Sequence, residues 1–326
     1  MPLKISIAMC TYNGVAHLPE QLDSLLGQHR MPDDIVIHDD GSRDGTWELL
    51  ERYAARHPQL IRIHRHETNQ GFSKNFVGCI AATHGDVILP CDQDDIWLPE
   101  KLSAFEQVFL REPDVGLAFC DAALMNAQAQ DLGQSWWQAQ GFDRRAQDML
   151  ESEQGGELMI RNPAWMAAGA TMAFRASFKP AIFPIEPGWT HDTWIATRIA
   201  VASRVRLLHQ QLNRYRQHAQ QVYGVAMTTS RKWDLAQGRG RDPRHFVETR
   251  LRYEALRRRL NEPSDFPPRP DCLRSLEQKL THWNNRARMR SVPRLYRFAL
   301  ILRELVTGRY FRASQGVRSL AMDLLT

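Results

Sequence analysis

From Ile5 to Asp92 the chain repeats one alternation, a short apolar β-rich run followed by a stretch with helical spacing. The runs are ISIAMCTYN, DIVIHDD, LIRIHRH and DVILPCD. Between them, HLPEQLDSLLGQ puts Leu18, Leu22, Leu25 and Leu26 on one side, TWELLERYAARH is amphipathic with Thr46 as a candidate cap, and SKNFVGCIAAT reads as a third helix. Strands and helices alternating at roughly 30-residue intervals predict a parallel sheet with right-handed crossovers, so the fold class is α/β. In such sheets ligands bind beyond the carboxyl ends of the strands. CTYN, HDDGS and CDQDD each lie where a predicted strand stops, so three polar clusters converge on one edge.

The residues at that edge narrow the ligand. Neither GxGxxG nor GxxxxGK[ST] occurs, which disfavours a glycine loop cradling phosphate. The remaining way to hold a polyphosphate is through a divalent cation, and Mg²⁺ takes one or two carboxylates together with substrate phosphates and water. Asp92 and Asp94, one residue apart on a turn after a buried strand, can supply those oxygens. A solvated acidic loop is the competing reading; an EF-hand would need spaced ligands and a central glycine that are missing.

At 326 residues and 43% hydrophobic, the chain can bury a large core and is expected to have more than one domain. The net charge of +5 names no partner by itself. Cys10, Cys79, Cys91, Cys120 and Cys272 are scattered without metal spacing and read as buried thiols of a reducing compartment. The first residues run straight into a strand, and no apolar stretch reaches the ~18 residues of a spanning helix. A soluble cytoplasmic protein is expected, with contact to the inner face of the cell membrane left open.

AMCTYNG, HDDGSRDGT, NQGF, CDQDDIW and HDTW together resemble, in order and spacing, the inverting family 2 glycosyltransferases of the GT-A fold. QDDIW and YRQH are similar to a rhamnosyltransferase-like subgroup that builds bacterial surface polysaccharides. The resemblance covers residues 2–223. It implies a domain over 1–223, with a nucleotide-binding half over 1–98 and an acceptor half over 99–223, and leaves 224–326 as a basic helical extension. It implies a nucleotide-sugar donor, dTDP- or UDP-linked with rhamnose from dTDP-rhamnose as the specific reading, and a glycan or lipid-linked glycan acceptor.

Carried over residue by residue, the resemblance implies that Asp40 accepts the imide N–H of uracil or thymine, with Asp39 beside it. An Asx turn suits Asp39 at least as well. Cys10, Thr11, Tyr12 and Asn13 would line the nucleoside pocket, although core packing is an ordinary fate for Tyr12. Asn69 and Lys74 would approach the nucleotide. Asp94 and Asp92 match the metal-binding DxD for Mg²⁺ or Mn²⁺, Asp92 also bordering the nucleotide, and His218 would stand by the metal and diphosphate. Asp95 would back the metal ligands or cap the helix after Pro99.

Inverting transfer also needs a base for the acceptor hydroxyl. Asp192 is that candidate, in the first turn of a helix that Thr190 could cap, where the helix N-terminus favours a carboxylate. His191 is the lesser candidate. Trp189, His191 and Trp194 around it are acceptor candidates because flat rings pack on sugars, and Trp136 and Trp137 are further ones, with core packing an equal alternative for that pair.

Beyond residue 223 the composition turns basic: from Arg286 to Arg318 arginine occurs nine times against one acid, Glu304. Leu295, Phe298, Leu302 and Leu305 share a helical face, which reads either as a surface docked on an anionic membrane or as one packed on the catalytic domain. Two other functions are weaker. A sugar nucleotidyltransferase would need a glycine- and basic-rich N-terminal loop, and CTYNGVAHLPE is not one. A nucleic-acid binder is disfavoured because three carboxylate clusters on one edge would repel phosphates.

Overall fold

A computed structural model describes residues 3–162, 168–218, 221, 243–314 and 316–325. The boundary expected at 223/224 and the basic stretch before Pro243 lie outside the described residues. The alternating segment forms β1 (Ile5–Thr11), α1 (Leu18–Leu26), β2 (Asp34–Asp39), α2 (Thr46–Arg56), β3 (Ile61–Arg65), α3 (Phe72–Ala81) and β4 (Val87–Cys91), element for element as the periodicity predicts. There follow β5 (Ile96–Trp97), α4 (Lys101–Arg111), β6 (Val115–Asn126), β7 (Asp131–Ser135), α5 (Trp136–Gln140), α6 (Arg144–Glu151), α7 (Gly155–Arg161), β8 (Met172–Arg175), α8 (Lys179–Ile182), α9 (His191–Ala200) and β9 (Arg204–Gln217). Helices α10 (Pro243–Leu260), α11 (Pro270–Met289), α12 (Arg294–Val306), α13 (Arg309–Ala313) and α14 (Val317–Leu325) complete the described chain.

The strands make one sheet in the order β3-β2-β1-β4-β8-β6-β9-β5, with β7 paired to β6. Strands β3, β2, β1 and β4 are parallel, and their registers, Thr11 opposite Asp39 and Met9 opposite Cys91, bring their carboxyl ends level. The second half is mixed: β8 runs antiparallel to β4 and β6, while β6 and β9 are parallel. Full burial of β1 and β4 on both faces explains their uninterrupted apolar runs.

Caps depart from expectation. Gly45, with φ +94°, takes the N-cap of α2; Thr46 instead donates its hydroxyl to Asp44 and accepts from the Gly14 N–H. Thr190 does sit at the N-cap of α9, but its hydroxyl donates to Asp192 rather than accepting a backbone N–H. Residues 121–161, whose sequence has no clear periodicity, hold α5, α6 and α7, each too short to show a repeat. Asp95 does not cap α4. It accepts from Asn213 Nδ2 at 2.9 Å and the Arg216 N–H at 3.0 Å, tying β9 to the turn after β4.

Helices α10 and α11 pack onto the sheet domain. Tyr253, Leu256, Leu260, Cys272, Leu276 and Leu280 share one buried cluster with Trp194 of α9 and Leu117 and Phe119 of β6. All five cysteines are buried and free, as expected. Among the described residues no helix is long and apolar enough to cross a membrane.

On the outer side of the parallel half, His38 of β2 is packed against His64 and His66, with ring centroids 4.8 and 5.5 Å away. Burial, then His64, His66 and Arg62, depress its pKa to about 4. The unfolded chain, with a histidine pKa near ~6.5, therefore binds a proton that the folded chain refuses between those values, so stability is present at neutral pH and lost as pH falls. Unfolding free energy measured in urea is expected to drop by on the order of 2 kcal/mol between neutral pH and pH about 4.5 through this residue, discounted for partial solvent screening. His38→Leu should remove that part of the slope, and an unchanged slope would assign it elsewhere.

Candidate active site

Because the parallel strands end level, the segments that follow them share one opening. A cavity of about 990 Å³ is lined by Cys10, Thr11, Tyr12 and Asn13 after β1, by Asp40 after β2, by Asn69, and by Asp92, Gln93 and Asp94 after β4. His191, Asp192 and Thr193 at the start of α9, together with Tyr215 and His218 at the end of β9, close the other side. Residues separated by up to 208 positions in the sequence thus face one space, Cys10 and His218 being the extremes of this set.

The turn after β2 divides its two aspartates. Asp39 is fully buried; its carboxylate accepts from Thr11 Oγ1 at 2.9 Å and from the Ser42 backbone N–H and hydroxyl. It is an Asx-type lock and is not among the cavity's lining residues. Gly41 holds φ +79° there, with backbone closing over the position a side chain would take: His66 O lies 3.4 Å from an added Cβ. Asp40 faces the cavity, and its two oxygens accept the Gln70 N–H at 2.7 Å and the Gly71 N–H at 3.0 Å. The loop bearing Asn69 is thereby fixed to the strand end.

Tyr12 is exposed rather than packed in the core. Its backbone is gripped by Gln93, whose Oε1 accepts the Tyr12 N–H at 2.8 Å and whose Nε2 donates to the Tyr12 carbonyl at 3.0 Å. A Cβ at Gly14 would lie 2.1 Å from Gln93 Oε1, so glycine is needed for this grip. Sequence reasoning passed over Gln93, whose only signal is its place between Asp92 and Asp94. Lys74 is exposed on α3 and is not a lining residue.

Negative charge concentrates where β4 ends. Burial and then the carboxylates of Asp94, Asp95 and Asp192 push Asp92 well above the usual carboxylate range, with Lys101 acting the other way. Burial and then Asp94 raise Asp95 to about 7. Burial and the same carboxylates raise the Tyr215 hydroxyl well above its ordinary value. His218 Nε2 lies 2.8 Å from Asp94 Oδ2, and Arg216 Nε donates to the Asp94 carbonyl at 2.7 Å. Asp94 and His218 are therefore side by side. Among the described residues no group of three or more His, Cys, Asp or Glu has the geometry of a complete metal site. A cation held here would draw on few protein atoms and fill its shell from phosphate oxygens and water, the habit of Mg²⁺.

Across the cavity, Asp192 Oδ1 is fixed by the Thr190 hydroxyl and by the Thr193 N–H at 2.7 Å. Its neighbour His191 is buried and stacked on Phe76, with centroids 3.9 Å apart. Among the described residues neither ring nitrogen has a hydrogen-bond partner, and burial lowers its pKa. Gly169 lets a backbone come close, since a Cβ there would stand 3.1 Å from His191 Nε2.

The tryptophans separate. Trp136 lines the cavity. Trp137 packs edge-on to Phe142 and His209, Trp194 is fully buried with Nε1 donating to Ile182 O, and Trp189 donates to Arg252 O. These three belong to the core. The aromatic walls of the cavity are instead Tyr12, Phe72, Phe76, Trp136 and Tyr215. Arg252 of α10 also lines it, 4.9 Å over the Trp189 ring, so the C-terminal region reaches the site.

Residues 6–157 match the model of glycosyl transferase family 2. The uncharacterized protein Rv1520 of Mycobacterium tuberculosis is 27% identical over 243 residues, 72% of this chain and 65% of that protein. The dTDP-rhamnosyl transferase RfbG of Shigella flexneri is 36% identical over 99 residues, 29% of this chain and 34% of that one. The match to the mycobacterial relatives thus spans 65% of their length. Among solved structures, Staphylococcus aureus TarS residues 1–349 with UDP-GlcNAc superimposes with TM-score 0.56 at 17% identity, covering 87% of this chain and 72% of that one. The mannosyltransferase PcManGT of Pyrobaculum calidifontis with GDP-Man and Mn²⁺ gives 0.56 at 18%, covering 99% and 86%. The fold is GT-A, as in these two solved structures.

Asp95→Ala leaves two buried donors without their acceptor, Asn213 Nδ2 and the Arg216 N–H. The expected cost is about 2–3 kcal/mol in urea unfolding. An unchanged midpoint would mean that β9 is held without it.

Proposed function

We propose that the chain is a metal-dependent, inverting glycosyltransferase of family 2 that moves a sugar from a nucleotide-sugar donor to a glycan or lipid-linked glycan acceptor. The observation that carries this reading is the single cavity in which the Asp94–His218 pair and Asp192 face one another's neighbourhood, with the strand-end segments of β1 and β2 beside them. That is the arrangement a donor diphosphate and an attacking hydroxyl require. Relatives and solved neighbours favour it: one relative is named a dTDP-rhamnosyl transferase, and two neighbours were solved with UDP-GlcNAc or with GDP-Man and Mn²⁺.

Cys10, Thr11, Tyr12, Asn13, Asp40 and Asn69 are read as the nucleoside wall. Asp40, already ordered by two backbone N–H groups, keeps lone pairs for the imide N–H of uracil or thymine. The donor is read as dTDP-rhamnose, with a UDP-sugar as the alternative. Asp94, Asp92 and His218 would hold Mg²⁺ or Mn²⁺. The raised pKa of Asp92 among three other carboxylates fits a site that a cation neutralises. When bound, such an ion supplies Lewis-acid stabilisation of the departing diphosphate.

Asp192 is the proposed base. Thr190 and Thr193 orient its Oδ1, which leaves Oδ2 to take the proton of the acceptor hydroxyl. As that oxygen bonds to the anomeric carbon, the bond from carbon to the diphosphate oxygen breaks, the nucleoside diphosphate departs with the electron pair, and configuration inverts. Trp136 and Phe72 are the proposed stacking faces for the acceptor. The division into a nucleotide half over 1–98, an acceptor half over 99–223 and a C-terminal extension over 224–326 is kept, with Arg252 lent to the site by the extension.

Asp192→Asn is expected to lower transfer about 10³-fold while donor affinity stays within about twofold, because only the proton acceptor is lost. Turnover near wild type would remove Asp192 from this role. Asp94→Ala should weaken donor binding in Mn²⁺ and leave it unchanged in EDTA, read by thermal shift against a panel of nucleotide sugars. Equal weakening in EDTA would deny Asp94 a ligand role.

A further inference from the structure

The sequence RLYRFALILRELV of α12 is amphipathic, and the structure fixes which side faces inward. Its single acid, Glu304, is fully buried: it accepts from Asn285 Nδ2 at 2.7 Å and Arg309 Nη1 at 3.0 Å, and pairs with His282 Nδ1 at 2.6 Å. Ile301 packs beside it with Met289 and Tyr310. With 3.6 residues per turn, that rotation turns Leu295, Phe298, Leu302, Leu305 and Val306 to the opposite side. They are exposed, Leu295 at 84% and Val306 at 79%. The helix is therefore inside out for a protein surrounded by water, its carboxylate within and its leucines without.

The borders of this apolar arc are basic. Arg294 stands at one edge and Arg303 at the other, both exposed, with Tyr296 beside Arg303 and exposed Phe311 and Arg312 following on α13. Neighbouring acids do not offset them, for Glu304 is buried and Asp323 is consumed by Arg286, Arg290 and the Tyr310 hydroxyl. A contiguous apolar patch rimmed by one sign of charge marks an interaction site. A second copy docked face to face would set the same arginines against each other, which disfavours self-association. A bilayer with anionic headgroups matches both parts, burying the leucines among acyl chains and pairing the arginines with phosphates.

We propose that α12 is a membrane-docking helix, lying in the plane of an anionic bilayer with Leu295, Phe298, Leu302 and Val306 inserted and Arg294 and Arg303 at headgroup level. This surface is separate from the cavity, and the inference stands whether or not the transfer reaction is assigned correctly.

The test is co-sedimentation of the full chain with vesicles of phosphatidylglycerol and phosphatidylethanolamine, against vesicles of phosphatidylcholine alone. Binding is expected to the anionic vesicles and to weaken with salt. Leu295→Glu combined with Leu302→Glu should reduce it at least about tenfold, and Arg294→Gln or Arg303→Gln about fivefold each. Both leucines are exposed, and an unchanged melting temperature would establish that the variant folds. Absence of binding to anionic vesicles, or binding indifferent to the leucine variant, overturns the proposal. So does a dimer in light scattering that the same variant dissociates, which would make the face a contact between copies.

Discussion

The geometry of the site depends on one buried cation. Arg216 is almost wholly enclosed, yet each part of its guanidinium is occupied: Nε donates to the Asp94 carbonyl at 2.7 Å, Nη1 to the Ala127 carbonyl at 2.9 Å, and Nη2 to the Glu20 carboxylate. Its own N–H donates to Asp95. A buried guanidinium is tolerated only when satisfied in this way, so its four partners are held as firmly as it is. They belong to α1, to the turn after β4 and to the connection between β6 and β7. The residue thus joins the parallel half of the sheet to the mixed half, and His218, two positions on, is delivered to Asp94 as a consequence.

That arrangement explains what could be read from the chain beforehand. The parallel half was legible because strands buried on both faces are apolar without interruption, and the helices between them keep a 3.6 period. Their carboxyl ends had to be level, so Asp40, Asp92 and Asp94 could be placed on one edge from pattern alone. The contact between Asp94 and His218 spans 124 positions and has no local signature; it came into view only through resemblance to a family. Gln93 escaped notice for the same reason, because its partners are backbone atoms of a distant segment.

Aromatic residues misled in a regular way. Trp189 and Trp194 flank Asp192 in sequence, and proximity to the proposed base suggested sugar-stacking faces. A helix separates neighbours in sequence by angle, however. With Asp192 turned to the cavity, Trp194 is turned to the core, where its indole N–H finds the Ile182 carbonyl. The C-terminal helices divide along similar lines. Of the two readings of that region, packing holds for part of it, where Tyr253 and Leu276 are core residues, while the apolar arc of α12 is not covered by any described residue. Only the inward pull of Glu304 distinguishes the cases, and a hydrophobic pattern alone cannot say which way it faces.

His191 shows how the cavity manages charge beside the proposed base. A protonated imidazole next to Asp192 would form an ion pair and compete with an incoming hydroxyl for the carboxylate. Enclosure disfavours protonation, since burial takes the charged form of the ring out of water. The ring therefore stays neutral at neutral pH, and among the described residues neither nitrogen has a hydrogen-bond partner. The same enclosure leaves the carboxylate proposed as the base without a cationic neighbour in His191.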